Sequence, residues 1–199
     1  GWATENFTLD DIANEDWPEC VDFVRRHTGA QSVQVVAHCV GSMTLLMSLL
    51  NGLEGVRSAV CSQLTLHPVT DWLNYLKADI GVGEILAATG THTIDIRSDE
   101  SDEAKGIDAM LYRMPTPPGE ECNNPVCHRI FSVFGPSYTH SQLNNRTHAA
   151  LEDMFGEVST SAFEQLAEII RQGKVVDSRG RDVYQSKVEK LKMPLSFIA

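Results

Sequence analysis

Ala37-His38-Cys39-Val40-Gly41 sets a nucleophilic side chain between two small residues, each two positions away. The pentapeptide joins a short β-branched run, Val33-Gln34-Val35-Val36-Ala37, to an apolar run from Gly41 to Leu50. Small-x-nucleophile-x-small at a strand-to-helix corner is the pattern of a nucleophile elbow. Its usual form is G-x-S-x-G, where a sharp turn lifts the reactive atom above a parallel sheet. Ala37 takes the first glycine position, Cys39 the nucleophile position and Gly41 the last, and Ser42 keeps the next residue small. A cysteine at a helix N-terminus faces unpaired N–H groups and the positive end of the helix dipole, both of which favour thiolate. The Val40 N–H is then one of two oxyanion donors, each worth about 3 kcal/mol to a transition state. The competing reading of the same residues is a buried structural cysteine in a strand–helix turn.

Other residues carry weaker signals. His38 abuts the corner, where it either lines a pocket or packs against backbone. His67 and Asp71 follow the second strand candidate, at the sheet edge where active sites of such folds sit. Asp71 also begins a helix-like run, and capping is its expected role. Cys122, Cys127 and His128 raise a metal site whose remaining ligand would be His140, His148 or Cys61. Zinc sites usually carry tighter paired spacing. A local thiol pair or simple packing is therefore expected, with His140 and His148 exposed or capping, and no metal is assigned. Gly81-Val82-Gly83 lacks a third glycine and a preceding strand, so no dinucleotide fingerprint is present.

The elements around the corner follow from pattern. Thr8 is placed to cap a turn over Leu9 to Ala13, and Asp16 to cap a helix with Pro18 in its first turn. Trp17, Val21 and Val24 fall on one face of that helix, and Gly29 ends it. Val33 to Ala37 and Val56 to Leu66 read as buried strands flanking a helix closed by Asn51-Gly52, the rhythm of a parallel α/β sheet. Beyond Pro68 come a short helix around Asp71 to Ala78, an acidic stretch from Asp99 to Glu103 and a Pro-rich loop from Met114 to Gly119. A helix is expected over Thr147 to Phe155. Another opens with Ser161 and Glu164 in capping-box spacing, with Phe163, Leu166, Ala167 and Ile170 on one face and Gly173 at its end. Met193 to Ala199 begins a last strand.

Together these residues resemble an α/β-hydrolase: helix, strand five, elbow, helix and strand six across Phe7 to Pro68. A cysteine in the elbow is similar to the arrangement in polyhydroxyalkanoate synthases and dienelactone hydrolases. Ala37-His38-Cys39-Val40-Gly41-Ser42 more specifically resembles the hydrolase-like domain fused to cholesterol-oxidase-type flavoproteins of the GMC oxidoreductase family. Ser58 to Leu64 and Phe134 to Asn144 extend that resemblance over nearly the whole chain. It implies a core segment with the elbow at 1–68, a mainly helical cap with connections at 69–190, and an incomplete final strand at 191–199. It further implies acyl transfer or hydrolysis on a small hydrophobic ester, thioester or lactone, with Cys39 as nucleophile. The acid and histidine of such a site follow strand seven and would be supplied from outside these residues. The alternative it implies is a non-catalytic accessory module. In that case FAD belongs to a fused oxidoreductase domain, since nothing in this segment binds a cofactor.

Composition narrows the classes. The 199 residues are 42% hydrophobic and 22% charged, which suits a globular domain with a core. A net charge of −11 without a basic cluster argues against nucleic acid, because phosphate contacts need Lys and Arg. No apolar run reaches the roughly 20 residues of a membrane span. Five scattered cysteines with no secretory leader read as reduced thiols in the cytoplasm. In the hydrolase strand order, residues 33–37 would lose one neighbour here, leaving an open edge to be covered by the rest of the fold or by a second chain.

Overall fold

A computed structural model describes residues 6–63, 66–69, 92–97, 109 and 119–198. The described residues include a three-stranded parallel sheet and several helices, a mixed α/β arrangement. The chain divides into two compact units, one of residues 1–4 and 93–158, the other of residues 5–92 and 159–199. None of the described helices is long and apolar enough to cross a membrane.

The sheet unit begins with α1 (Leu9–Asp11), where Thr8 and Asp11 form a reciprocal capping box. The chain then runs without a break through a π-helical turn (Ile12–Asp16) into α2 (Trp17–Thr28). Asp16 therefore does not cap: its backbone is already helical and its side chain makes no capping bond. The wider turn ends just before Pro18, which has no N–H to continue the ladder. Val21 is buried, but Val24 is 44% exposed, so the apolar face is narrower than its spacing suggests. Gly29 closes the helix at φ 70°.

Strand β1 (Val33–His38) leads into α3 (Val40–Asn51) and then β2 (Val56–Ser62). The late strand β3 (Leu195–Ile198) completes the order β1-β2-β3, every pair parallel. β2 is shorter than expected: the strand ends at Ser62, and Gln63, whose N–H still donates to the Ile198 carbonyl at 2.8 Å, turns away at φ 50°. Among the described residues β1 has one neighbour and is the sheet edge. One sheet face is covered: Val21, Ala37, Leu45, Leu46, Leu49, Val56, Ala59 and Cys61 form a core with α2 and α3. On the opposite face Val36 is 79% exposed, so β1 is not buried on both sides by the described residues.

The other side of α3 packs on a helix (Thr160–Gln172) and the segment after it. Met43, Met47 and Leu50 meet Ala162, Ile169, Val175, Val176 and Tyr184. Residues 159–199 fall in the same compact unit as the sheet. That helix starts at Ser159, not Ser161. The Ser159 hydroxyl takes the Ala162 N–H and is also bonded by the Phe7 N–H, a tertiary tie that local spacing does not encode. Its buried face includes Ala162, Gln165 and Ile169, one residue away from the expected stripe. Gln165 is buried because its amide is used: its oxygen accepts from the Leu9 N–H and its nitrogen donates to the Val176 carbonyl.

The described residues of the second unit include three short α-helices, Pro125–Phe134, Asn145–Ala149 and Leu151–Met154. The single helix expected over Thr147 to Phe155 is split at Ala150, whose N–H is shared between the Arg146 and Thr147 carbonyls. The sequence features at Asp71 to Ala78, Gly81 to Gly83 and Asp99 to Glu103 lie outside the described residues, as does the loop before Gly119.

Asp177 offers a test of how the late segment is pinned. Burial pushes its carboxyl up, but the Arg181 guanidinium and the N–H groups of Arg179 and Arg181 outweigh that and hold it below the ordinary aspartate value. A depressed native value gives stability that is present above the unfolded value and lost as pH falls through the folded one. Asp177→Asn is expected to lower the urea midpoint at neutral pH and to flatten its fall below about pH 4. An unchanged acid limb in the variant would show that Asp177 carries none of it.

Candidate functional site

The corner between β1 and α3 is the most constrained backbone in the sheet unit. Cys39 sits at φ 52°, ψ −127°, a region that a side chain with a Cβ rarely enters. Its N–H donates to the Ser62 carbonyl at 3.0 Å, carrying the β1–β2 ladder one step beyond the strand. Its own carbonyl accepts from the N–H groups of Ser42 (2.9 Å) and Met43 (3.2 Å), so the helix has already begun on the far side of the same residue. The buried Ser42 hydroxyl donates to the Ser62 carbonyl at 3.1 Å and ties the first turn of α3 to the end of β2. Each of these bonds fixes one side of Cys39, and the residue between them takes up the turn.

The Cys39 thiol is exposed and makes no hydrogen bond among the described residues. Val40 is the first helical residue, so its N–H has no acceptor within the helix. Ala37 is buried beneath the corner, as a small residue there should be. Gly41 differs: an added Cβ would meet nothing within 4 Å, so packing by the described residues does not require glycine there.

His38 is exposed, and its Nδ1 lies 3.3 Å from the Ser62 hydroxyl, bridging the C-terminal ends of β1 and β2. His67 lines a small hollow with Leu50, Val175 and Tyr184. Leu50 is in the last turn of α3, whereas Cys39 precedes the first. Eleven residues of helix are about 16 Å, so His67 is placed toward the opposite end of α3 from Cys39. Asp71 lies outside the described residues.

A second group of reactive side chains lies within the other unit. Cys122, Cys127, His140 and His148 bring one ligand atom each to within 4.8 Å of the others. His128, which follows Cys127 in sequence and was paired with it on that ground, is not among the four. The sequence did offer His140 and His148 as further ligands but gave them exposed or capping roles. Their convergence depends on a turn and a short helix whose placement no local pattern reveals.

No family model matches the chain, and no curated protein matches it.

The strain at Cys39 predicts an ordering of variants. A residue held in a sparsely allowed conformation costs of order 1–3 kcal/mol, which glycine relieves and alanine does not. Cys39→Gly should be more stable than Cys39→Ala by about 1 kcal/mol, read from paired denaturant melts. Equal stability of the two would mean that the corner relaxes in solution.

Proposed function

We propose that the chain is an α/β-hydrolase-like acyl-transfer domain with Cys39 as its nucleophile. The observation that carries this reading is the backbone of Cys39, a non-glycine residue held at φ 52°, ψ −127° between a parallel strand and a helix N-terminus. Strain of that kind at a strand–helix corner is the property that lifts a nucleophile clear of the sheet. The order β1-β2-β3 agrees with strands five, six and seven of the hydrolase sheet, and the open edge at β1 is where strand three would lie. Phe197 and Ile198, both more than half exposed, close the same C-terminal end of the sheet and suit an apolar acyl group.

In this reaction the Cys39 sulfur attacks the carbonyl carbon of an ester, thioester or lactone. A C–S bond forms while the carbonyl π electrons move to oxygen, where the Val40 N–H donates to the developing charge. Collapse of that intermediate breaks the bond to the alkoxide or thiolate leaving group, which takes up a proton. Water then attacks the acyl-enzyme, releases the acid and restores the thiol. The group that accepts the Cys39 proton lies beyond the contacts of the described residues.

The exposed thiol, without a hydrogen-bond partner among the described residues, favours a second reading, an accessory or interaction module of a GMC-type flavin oxidoreductase in which the corner is purely structural. Alkylation kinetics separate the two. Cys20 is also exposed, on a regular helix, while burial pushes the Cys61 thiol up. With iodoacetamide near neutral pH and peptide mapping, Cys39 should react at least about tenfold faster than Cys20. If Cys39 reacts no faster than Cys20, the structural reading holds.

A further inference from the structure

We propose that Cys122, Cys127, His140 and His148 bind a structural zinc ion. Their ligand atoms lie within 4.8 Å of one another, and the spacing is C-x4-C-x12-H-x7-H. Tetrahedral zinc with sulfur at about 2.3 Å and nitrogen at about 2.0 Å needs ligand atoms roughly 3.3–3.8 Å apart. His148 Nε2 is 3.0 Å from Cys127 Sγ and 3.5 Å from Cys122 Sγ, so one imidazole nitrogen already faces both sulfurs. The His140 and His148 rings meet edge to face with centroids 5.0 Å apart, as two imidazoles converging on one centre can.

His140 supplies an independent sign. Its Nε2 is buried and has no hydrogen-bond partner among the described residues. An orphaned buried nitrogen costs free energy unless something accepts from it or binds it. The His140 backbone, meanwhile, is held in place, with its N–H donating to the Glu120 carboxylate at 2.7 Å.

The surroundings of the sulfurs fit thiolate ligands. The Asn124 N–H points at Cys122 Sγ at 3.4 Å, and Tyr138 lines the same small hollow as Cys127. Donors aimed at ligating sulfur are the usual outer contacts of such centres. Two of the ligands are also positioned locally: Asn124 caps the helix that carries Cys127, and Asn144 caps the helix that carries His148. Two soft thiolates with two imidazoles select zinc over magnesium or calcium. Four protein ligands leave no open position, which makes the centre structural rather than catalytic. Among the described residues the α-helices of this unit are ten, five and four residues long. Short elements with little area to bury are the kind that a metal commonly holds together.

The full chain, purified and dialysed against zinc, tests this by elemental analysis and by thiol protection. About one zinc per chain is expected. Zinc should slow alkylation of Cys122 and Cys127 while leaving Cys20 and Cys39 unaffected. Cobalt loaded in its place should give tetrahedral d–d bands with thiolate-to-cobalt charge transfer. Cys122→Ser should drop the zinc content to below about a tenth of an equivalent, and His128→Gln should retain it. Thiol protection is read on the wild-type chain, so it decides the matter even if Cys122→Ser fails to fold. Zinc well below one equivalent in the wild type, or equal alkylation of Cys122 and Cys127 with and without zinc, would overturn the proposal.

Discussion

The Ser62 carbonyl holds the corner on which the candidate chemistry depends. It accepts the Cys39 N–H and the Ser42 hydroxyl together, so the last rung of a parallel ladder and the first turn of a helix share one acceptor. Between those bonds the chain must reverse within one residue, and Cys39 takes an angle that most side chains avoid. The cost is local. It is offset by packing directly beneath, where Leu45, Leu46 and Leu49 of α3 are almost wholly buried against Ala37, Ala59 and Cys61. A corner so over-determined can hold a reactive atom in one place, the requirement for positioning a nucleophile.

The second unit solves a different problem. Where the sheet unit rests on a continuous apolar core, the segment around Cys127 combines short capped helices with sulfur and nitrogen atoms turned toward each other. The two reactive centres therefore differ in design. One is an exposed thiol on a strained backbone, the other a partly buried cluster whose hydrogen bonds converge inward.

Much of the sheet unit was legible from pattern. Val33 to Ala37, the apolar run after Gly41 and the stop at Asn51-Gly52 all carry their structure in local spacing, and the parallel pairing follows from strand, helix, strand. Cys39 was identifiable as the corner residue because one small residue stands two positions away on each side, Ala37 and Gly41. What escaped was set by distant partners. Ser159 rather than Ser161 starts its helix because Phe7 reaches it from 152 residues away. Gln165 is buried because Leu9 and Val176 satisfy its amide. The Cys/His cluster was legible only in part: Cys122 and Cys127 were paired, with His140 and His148 among the further candidates, but sequence adjacency added His128, and the four side chains that converge span 122 to 148.

Whether the strained cysteine is a nucleophile is tested most directly by trapping an acyl group on it. The full chain would be mixed with an activated short-chain ester, such as a p-nitrophenyl ester, quenched in acid and mapped by mass spectrometry. A thioester-linked acyl group on Cys39, formed faster than on Cys20 and absent from Cys39→Ala, is the predicted result. Acylation spread equally over the exposed thiols, or none on Cys39, would contradict the nucleophile assignment.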